Sequence, residues 1–185
     1  MGTLTKKQEG IISKVVNSET IAKDWLKTPF KTTNGILACD GYRVLSKSIN
    51  ASEVSGDYKY VTRFLEQDDK LKVVDIKLKR TEVIKAITGT KNDVIVLTST
   101  GSKFEIINIV QNKVLYETEF KGKKCYIGIN AKYLRDALNF ISSKEVEISF
   151  GNKISQITFL APEYNCMVLP IRLCNKEWIA NVENR

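Results

Sequence analysis

The sequence predicts an α+β fold in which two βαβββ units pack together, with the helices segregated to one face of antiparallel sheets. Three observations predict it. Short apolar runs separated by Gly- and Asn-containing turns recur through most of the chain. Beyond residue 57 only two stretches, 79–88 and 131–142, carry helical spacing, and each directly follows a strand-like run. The order strand, helix, three strands therefore occurs twice, a repeat of topology without a repeat of residues.

Taken in order, 4–27 reads as helical, with Ile11, Ile12, Val15 and Val16 on one face and Ile21, Trp25 and Leu26 continuing after a shift near Ser18. Pro29 ends the pattern. A meander follows: Phe30–Thr33, Ile36–Cys39 and Tyr42–Ser46, joined at Asn34-Gly35 and Asp40-Gly41, dipeptides suited to two-residue hairpin turns. The polar stretch 47–57 reads as a linker. The main domain then runs from Tyr58 to Leu173, with a strand at 71–78, a helix at 79–88 stopped by Gly89, and strands at 93–99, 102–110 and 113–120. A strand at 123–129 leads to Asn130, a good N-cap for helix 131–142. Strands at 145–150, 153–160 and 164–172 complete the second unit, the first two joined at Gly151-Asn152.

Composition narrows the chemistry. With 185 residues, 43% of them hydrophobic and 27% charged, the chain is an ordinary globular protein. It can bury ~70% of its unfolded surface with no disulfide or metal staple. No apolar run approaches the ~20 residues of a spanning helix, so no membrane association is expected. The 185 residues include 0 histidines, which removes Ser-His-Asp and Cys-His catalysis, His-ligated metals and imidazole switches. Gly-rich phosphate loops are absent too, and the expectation is a non-enzyme with no catalytic residues, no metal and no cofactor. Cys39, Cys125, Cys166 and Cys174 form no C-x-x-C pair and read as reduced thiols of a cytoplasmic protein. The N-terminus has no apolar signal-peptide core.

The charge points to a polyanion. Lys and Arg total 29 against 21 Asp and Glu, a net +8 with a pI near 9.2. In helix 131–142, Leu134, Ala137, Leu138 and Ile141 share one face while Lys132, Arg135 and Asn139 share the other. Helix 79–88 buries Val83, Ile84 and Ile87 and turns Lys79, Arg80 and Lys85 outward. Two basic faces on one side of a sheet suit sequence-independent contact with phosphates; a solvated helix face, offset by Glu82 and Asp136, is the plainer alternative. No aromatic interleaving in the sequence suggests single-strand stacking.

Two strings then carry a resemblance. Ala38-Cys39-Asp40-Gly41-Tyr42-Arg43-Val44 and Met167-Val168-Leu169-Pro170-Ile171-Arg172-Leu173 resemble the "ATDGHRL" hairpin and "VMPMRL" strand of the bacterial sliding clamp, the beta subunit of DNA polymerase III. Asp57-Tyr58 with Tyr60-Val61, and the stretch Gly128–Phe150, are similar to the opening and the central helix of that family's third domain. The resemblance makes 57–173 a complete clamp domain, 1–50 a truncated clamp-like segment and 174–185 an added tail. It implies a replication processivity factor whose basic helices, through Lys79, Arg80, Lys85, Lys132 and Arg135, face duplex DNA in a ring. It further implies a pocket for linear motifs of polymerase and clamp loader, walled by Cys39, Gly41, Tyr42, Arg43 and Val44 and by Val168, Leu169, Pro170, Ile171 and Arg172. Pro170 is expected near the end of an edge strand, leaving backbone groups for a ligand.

The chain departs from the family by lacking the first domain and half of the second, with Cys39 for threonine and Tyr42 for histidine. Ring closure would require a homo-oligomer, and a nucleoid-associated cytoplasmic location follows from the resemblance. A non-ring peptide-binding or regulatory module is the alternative. In the tail, Trp178 and Ile179 are expected either to fill the pocket, in cis or in a neighbouring chain, or to form a helical turn packed on the surface.

Overall fold

The computed structural model describes residues 4–65, 72–90, 93–151 and 155–184. The expected strand starts at 71 and 153 and the turn residue Asn152 lie outside the described residues. The first helix, α1 (Lys6–Val16), opens with a capping box: Gln8 N donates to Thr5 Oγ1 at 3.3 Å and Thr5 N donates to Gln8 Oε1 at 3.0 Å. It is shorter than the expected 4–27. Asn17 closes it by donating its side-chain amide to Ser13 O at 2.9 Å, and only a single 3₁₀ turn, Asp24–Lys27, follows. The shift near Ser18 has a tertiary cause. Ile11, Ile12, Val15 and Val16 pack in the main core, whereas Ile21, Trp25 and Leu26 pack in a separate cluster on the other face of the sheet.

The meander forms β1 (Phe30–Lys31), β2 (Ile36–Cys39) and β3 (Arg43–Lys47). Gly41 takes the expected positive φ, at 90°. Gly35 serves another purpose. The β1–β2 turn closes through Thr32 N to Gly35 O at 3.0 Å, and a Cβ at Gly35 would lie 2.3 Å from Ser48 O, so close backbone approach demands glycine there.

After α2 (Lys59–Leu65), which the sequence reading did not anticipate, the two units are β4 (Val74–Lys79), α3 (Arg80–Ala86), β5 (Val94–Ser99), β6 (Lys103–Asn108), β7 (Lys113–Glu119) and β8 (Cys125–Asn130), α4 (Ala131–Phe140), β9 (Glu145–Phe150), β10 (Ile157–Ala161), β11 (Tyr164–Val168). Their strands form a seven-stranded sheet, β1-β2-β3-β11-β10-β9-β4, and a four-stranded sheet, β7-β6-β5-β8, with every pairing antiparallel. Each unit lends its first strand to the other's sheet, β4 beside β9 and β8 beside β5. That exchange joins the two units through one core of inward-facing strand residues and the apolar faces of α1, α3 and α4.

No break in the core falls at 47–57. Val44 and Leu45 on β3 sit opposite Met167 and Cys166 on β11, and the buried Gln8 amide on α1 donates to Phe140 O at 2.6 Å and to the Tyr164 hydroxyl at 3.0 Å. The polar stretch makes two 3₁₀ turns, Ala51–Glu53 and Gly56–Tyr58, and buries Val54 and Tyr58 on the outward face of the larger sheet. Its polar composition reflects these short turns, with Val54 just after the first and Tyr58 at the end of the second as apolar anchors.

Beyond β11 the chain crosses between sheets. Leu169 N donates to Tyr42 O, and Ile171 N donates to Gly128 O on β8, both at 2.8 Å. The final helix, α5 (Lys176–Glu183), is capped by Asn175 Oδ1. Leu173, Trp178, Ile179 and Val182 cover Val96, Ile107, Ile109 and Tyr126 on the outward face of the four-stranded sheet, and the Tyr126 hydroxyl donates to Glu183 Oε1 at 2.8 Å. Trp178 and Ile179 therefore pack on the surface, away from the Cys39–Val44 wall, which corrects the pocket-filling alternative within this chain. Gly128 permits the crossing: a Cβ there would lie 2.7 Å from Ile171 O and 2.9 Å from Leu173 Cδ2. Gly128→Ala is expected to cost roughly 1–3 kcal/mol through overpacking against backbone; a urea midpoint equal to that of the parent protein would show that the tail yields freely. Among the described residues no helix is long and apolar enough to cross a membrane.

Candidate functional site

The helices α1, α4 and α3 pack on one another in that order, with α4 in contact with both its neighbours. Their outward sides form a layer rich in lysine. On α4, Lys132 is exposed and Arg135 half-buried, while Leu134, Ala137 and Leu138 are buried beneath them. Asn130 caps this helix as its sequence predicts, its Oδ1 accepting from Lys132 N at 2.8 Å. Lys85 is exposed on α3. Shortening of the first helix adds a contribution missed in the sequence: Lys6, Lys7 and Lys14 lie exposed on α1, and Lys7 Nζ donates to Asn139 Oδ1 across to α4 at 2.6 Å. The signal for them was present as polar positions around Ile11, Ile12, Val15 and Val16, and only the packing of α1 against α4 places Lys14 beside Lys132 and Lys7 beside Asn139.

Two of the expected charges sit elsewhere. Arg80 is half-buried and donates from Nε to Ser143 O at 2.7 Å, in the segment after α4, and from Nη1 to Leu138 O at 3.1 Å, in the last turn of α4. Its guanidinium is a fastener between α3 and α4. Lys79 is the last residue of β4, one of the exposed positions that alternate with Val74, Ile76 and Leu78. Its ammonium pairs with Glu82 at 3.0 Å, and that hydrogen bond raises its pKa above the usual lysine value.

The outward face of the larger sheet carries the second cluster. Leu37, Cys39, Val44 and Met167 project from the strands, and Leu26, Val54, Tyr58 and Val61 cover them, with Trp25 and Leu169 half-buried at the margin. The Trp25 and Tyr58 rings meet edge to face at 5.0 Å, and the Tyr58 hydroxyl donates to Thr28 O at 2.6 Å. Burial pushes the Tyr58 hydroxyl up to about 12 and the Cys39 thiol up to about 11, so both are neutral, as an apolar contact surface requires. The strands do bring the expected walls together, since Arg43 pairs with Val168 and Val44 with Met167. Strand alternation divides them, however. Cys39, Val44 and Leu169 belong to the outward cluster, whereas Val168 belongs to the main core. Pro170 and Ile171 are half-buried and Arg172 exposed beyond the end of β11. β11 lies between β3 and β10, so the expected edge strand is interior, its edge covered by the meander. Sequence reasoning missed Trp25, Leu26 and Met167 on this face, because 4–27 read as one helix and strand parity at β11 was undetermined.

Arg43 is 1% exposed and takes no part in the outward wall. Its Nε donates to Asp40 Oδ2 at 2.9 Å, its Nη1 pairs with Asp136 Oδ2 on α4, and its guanidinium lies 4.6 Å from the Tyr133 ring centre. Asp40 in turn accepts from Tyr42 N and Arg43 N, both at 3.0 Å, and so shapes the hairpin tip around Gly41. Beside this buried network Tyr42 is 48% exposed and stacks on Tyr133, ring centres 6.3 Å apart.

No protein-family model and no curated protein matches the sequence. Solved structures do match. The beta clamp of Helicobacter pylori, solved with a DNA ligase peptide, superposes with a TM-score of 0.65 at 13% identity over 90% of this chain and 63% of its own. The DNA polymerase sliding clamp of Bacillus subtilis gives 0.62 at 15% over 90% and 62%. The DNA polymerase III beta chain of Streptococcus pneumoniae gives 0.64 at 14% over 92% and 64%. The chain thus spans less than two thirds of the length of these proteins. With its paired βαβββ units, exchanged first strands and helices on one side, this protein has the fold of the bacterial DNA polymerase III beta sliding clamp.

Proposed function

We propose that this protein is a shortened, sliding-clamp-like processivity factor for DNA replication, non-enzymatic, whose helical layer contacts duplex DNA. The observation that carries this reading is the lysine layer on α1, α3 and α4, in a fold shared with replication clamps. Long, flexible, exposed ammonium groups neutralise phosphates and release counterions without reading bases. A linear apolar motif of a polymerase or clamp loader would dock at the margin of the outward cluster, where Trp25, Leu169, Pro170 and Ile171 are half-buried, over the buried Leu26, Cys39 and Val44. On this reading a homo-oligomer encircles the duplex.

Light scattering on a sizing column, across concentration, tests assembly. One closed multiple of the 20.9 kDa chain mass is expected. Binding of a labelled duplex over a salt series tests the contact, with affinity falling steeply as salt rises. A monomer without duplex affinity at low salt would overturn the reading, and peptide binding by that monomer would establish a non-ring module in its place.

A further inference from the structure

Where the last turn of α5 meets the four-stranded sheet, it closes over a cavity of about 480 Å³, bounded by the end of β5, the start of β8 and Val73 just ahead of β4. That volume falls within the ~300–1,000 Å³ of small-molecule sites. The Tyr126 ring and Val182, both buried, and Val73 give it apolar walls. The buried β5 hydroxyls are engaged by the chain itself: Thr98 Oγ1 donates to Cys125 O at 3.2 Å, and Ser99 Oγ accepts from Gly101 N at 3.3 Å. Lys123 and Lys124 also line the cavity and are exposed. The turn that carries them is held in place, since Phe120 N donates to Ser102 O at 2.9 Å and Gly122 N to Gly101 O at 3.1 Å. Glu183 is the one carboxylate of the lining, and it accepts from the Tyr126 hydroxyl at 2.8 Å.

Apolar walls beside two ammonium groups suit a ligand of two parts. An uncharged solute leaves the lysines without a counter-charge, and a compact anion leaves the apolar walls uncovered. We propose that this cavity binds a small organic anion, its apolar body among Val73, Tyr126 and Val182 and its carboxylate at Lys123 and Lys124. A ligand seated there touches α5 and β8 together, and so fastens the tail to the sheet. The site shares no residue with the lysine layer or with the outward cluster of the larger sheet, so the inference stands apart from the duplex-contacting reading.

Calorimetric titration of the full chain with octanoate at low salt tests it, and saturable binding with Kd below about 1 mM is expected. Octanol, uncharged and of equal chain length, should bind about 10-fold more weakly. Lys123→Gln combined with Lys124→Gln should weaken octanoate by about the same factor, and, because both side chains are exposed, it should melt like the parent. The native thiols locate the ligand. Cys125 is half-buried in the cavity wall, whereas Cys174 is exposed and outside the lining. Octanoate at about ten times its Kd should slow alkylation of Cys125 by iodoacetamide roughly 10-fold and leave Cys174 unaffected. No saturable binding, equal affinity for octanol, equal affinity in the double variant, or binding that leaves the Cys125 rate unchanged overturns the proposal.

Discussion

Replacing Arg43 by alanine is expected to cost about 3–5 kcal/mol of stability. The substitution strands Asp40 and Asp136, two carboxylates whose main charged partner is a guanidinium 1% exposed. A buried pair adds little over an apolar replacement of the same shape, yet breaking it from one side leaves charge in a poor solvent. At about 2–4 °C per kcal/mol for a chain of this size, the melting temperature should fall by roughly 6–20 °C. Arg43→Met combined with Asp40→Asn and Asp136→Asn removes all three charges. The side-chain carbonyl that replaces the Asp40 carboxylate can still accept from the two backbone N–H groups at the hairpin tip, so most of the loss should return. A single Arg43→Ala variant within about 1 kcal/mol of the parent in urea unfolding would show that solvent reaches the network. This network ties the hairpin tip to α4, so its loss should also disorder Tyr42 and Tyr133.

Reversing Lys14, Lys85 and Lys132 together to glutamate should weaken duplex binding by at least ~100-fold at low salt. If each lysine meets one phosphate, the slope of log K against log salt falls by about 2.7. All three side chains are exposed, and surface changes away from packed features stay within about ±0.5 kcal/mol of stability, so the variant should melt like the parent. Duplex affinity unchanged by the triple reversal would mean that the helical layer faces something other than DNA. Arg80→Ala provides the contrast. It should lower stability, because Ser143 O and Leu138 O lose their donor, and it should change the salt slope little.

The sequence alone determined the elements that depend on local chemistry. Asn130 predicted the start of α4, Gly41 the hairpin tip, and the twofold order of strands and helix the α+β class, because capping, positive φ and apolar spacing act within a few residues. It also placed Lys85, Lys132 and Arg135 on polar helix faces. Where neighbours in space decide, sequence was silent or misleading. One unbroken helix over 4–27 fits the spacing until the sheet appears, after which Val16 and Trp25 belong to opposite faces of it. Arg43 and Val44 are adjacent in the chain, yet strand parity sends one into a buried charge network and the other to the outward cluster. Pro170 followed what read as an edge strand until the meander paired with β11. Tyr42 and Tyr133 meet only because that pairing brings the hairpin tip to α4. Local free energies set which elements form; only long-range pairing, which no short window of sequence contains, sets which side chains share a face.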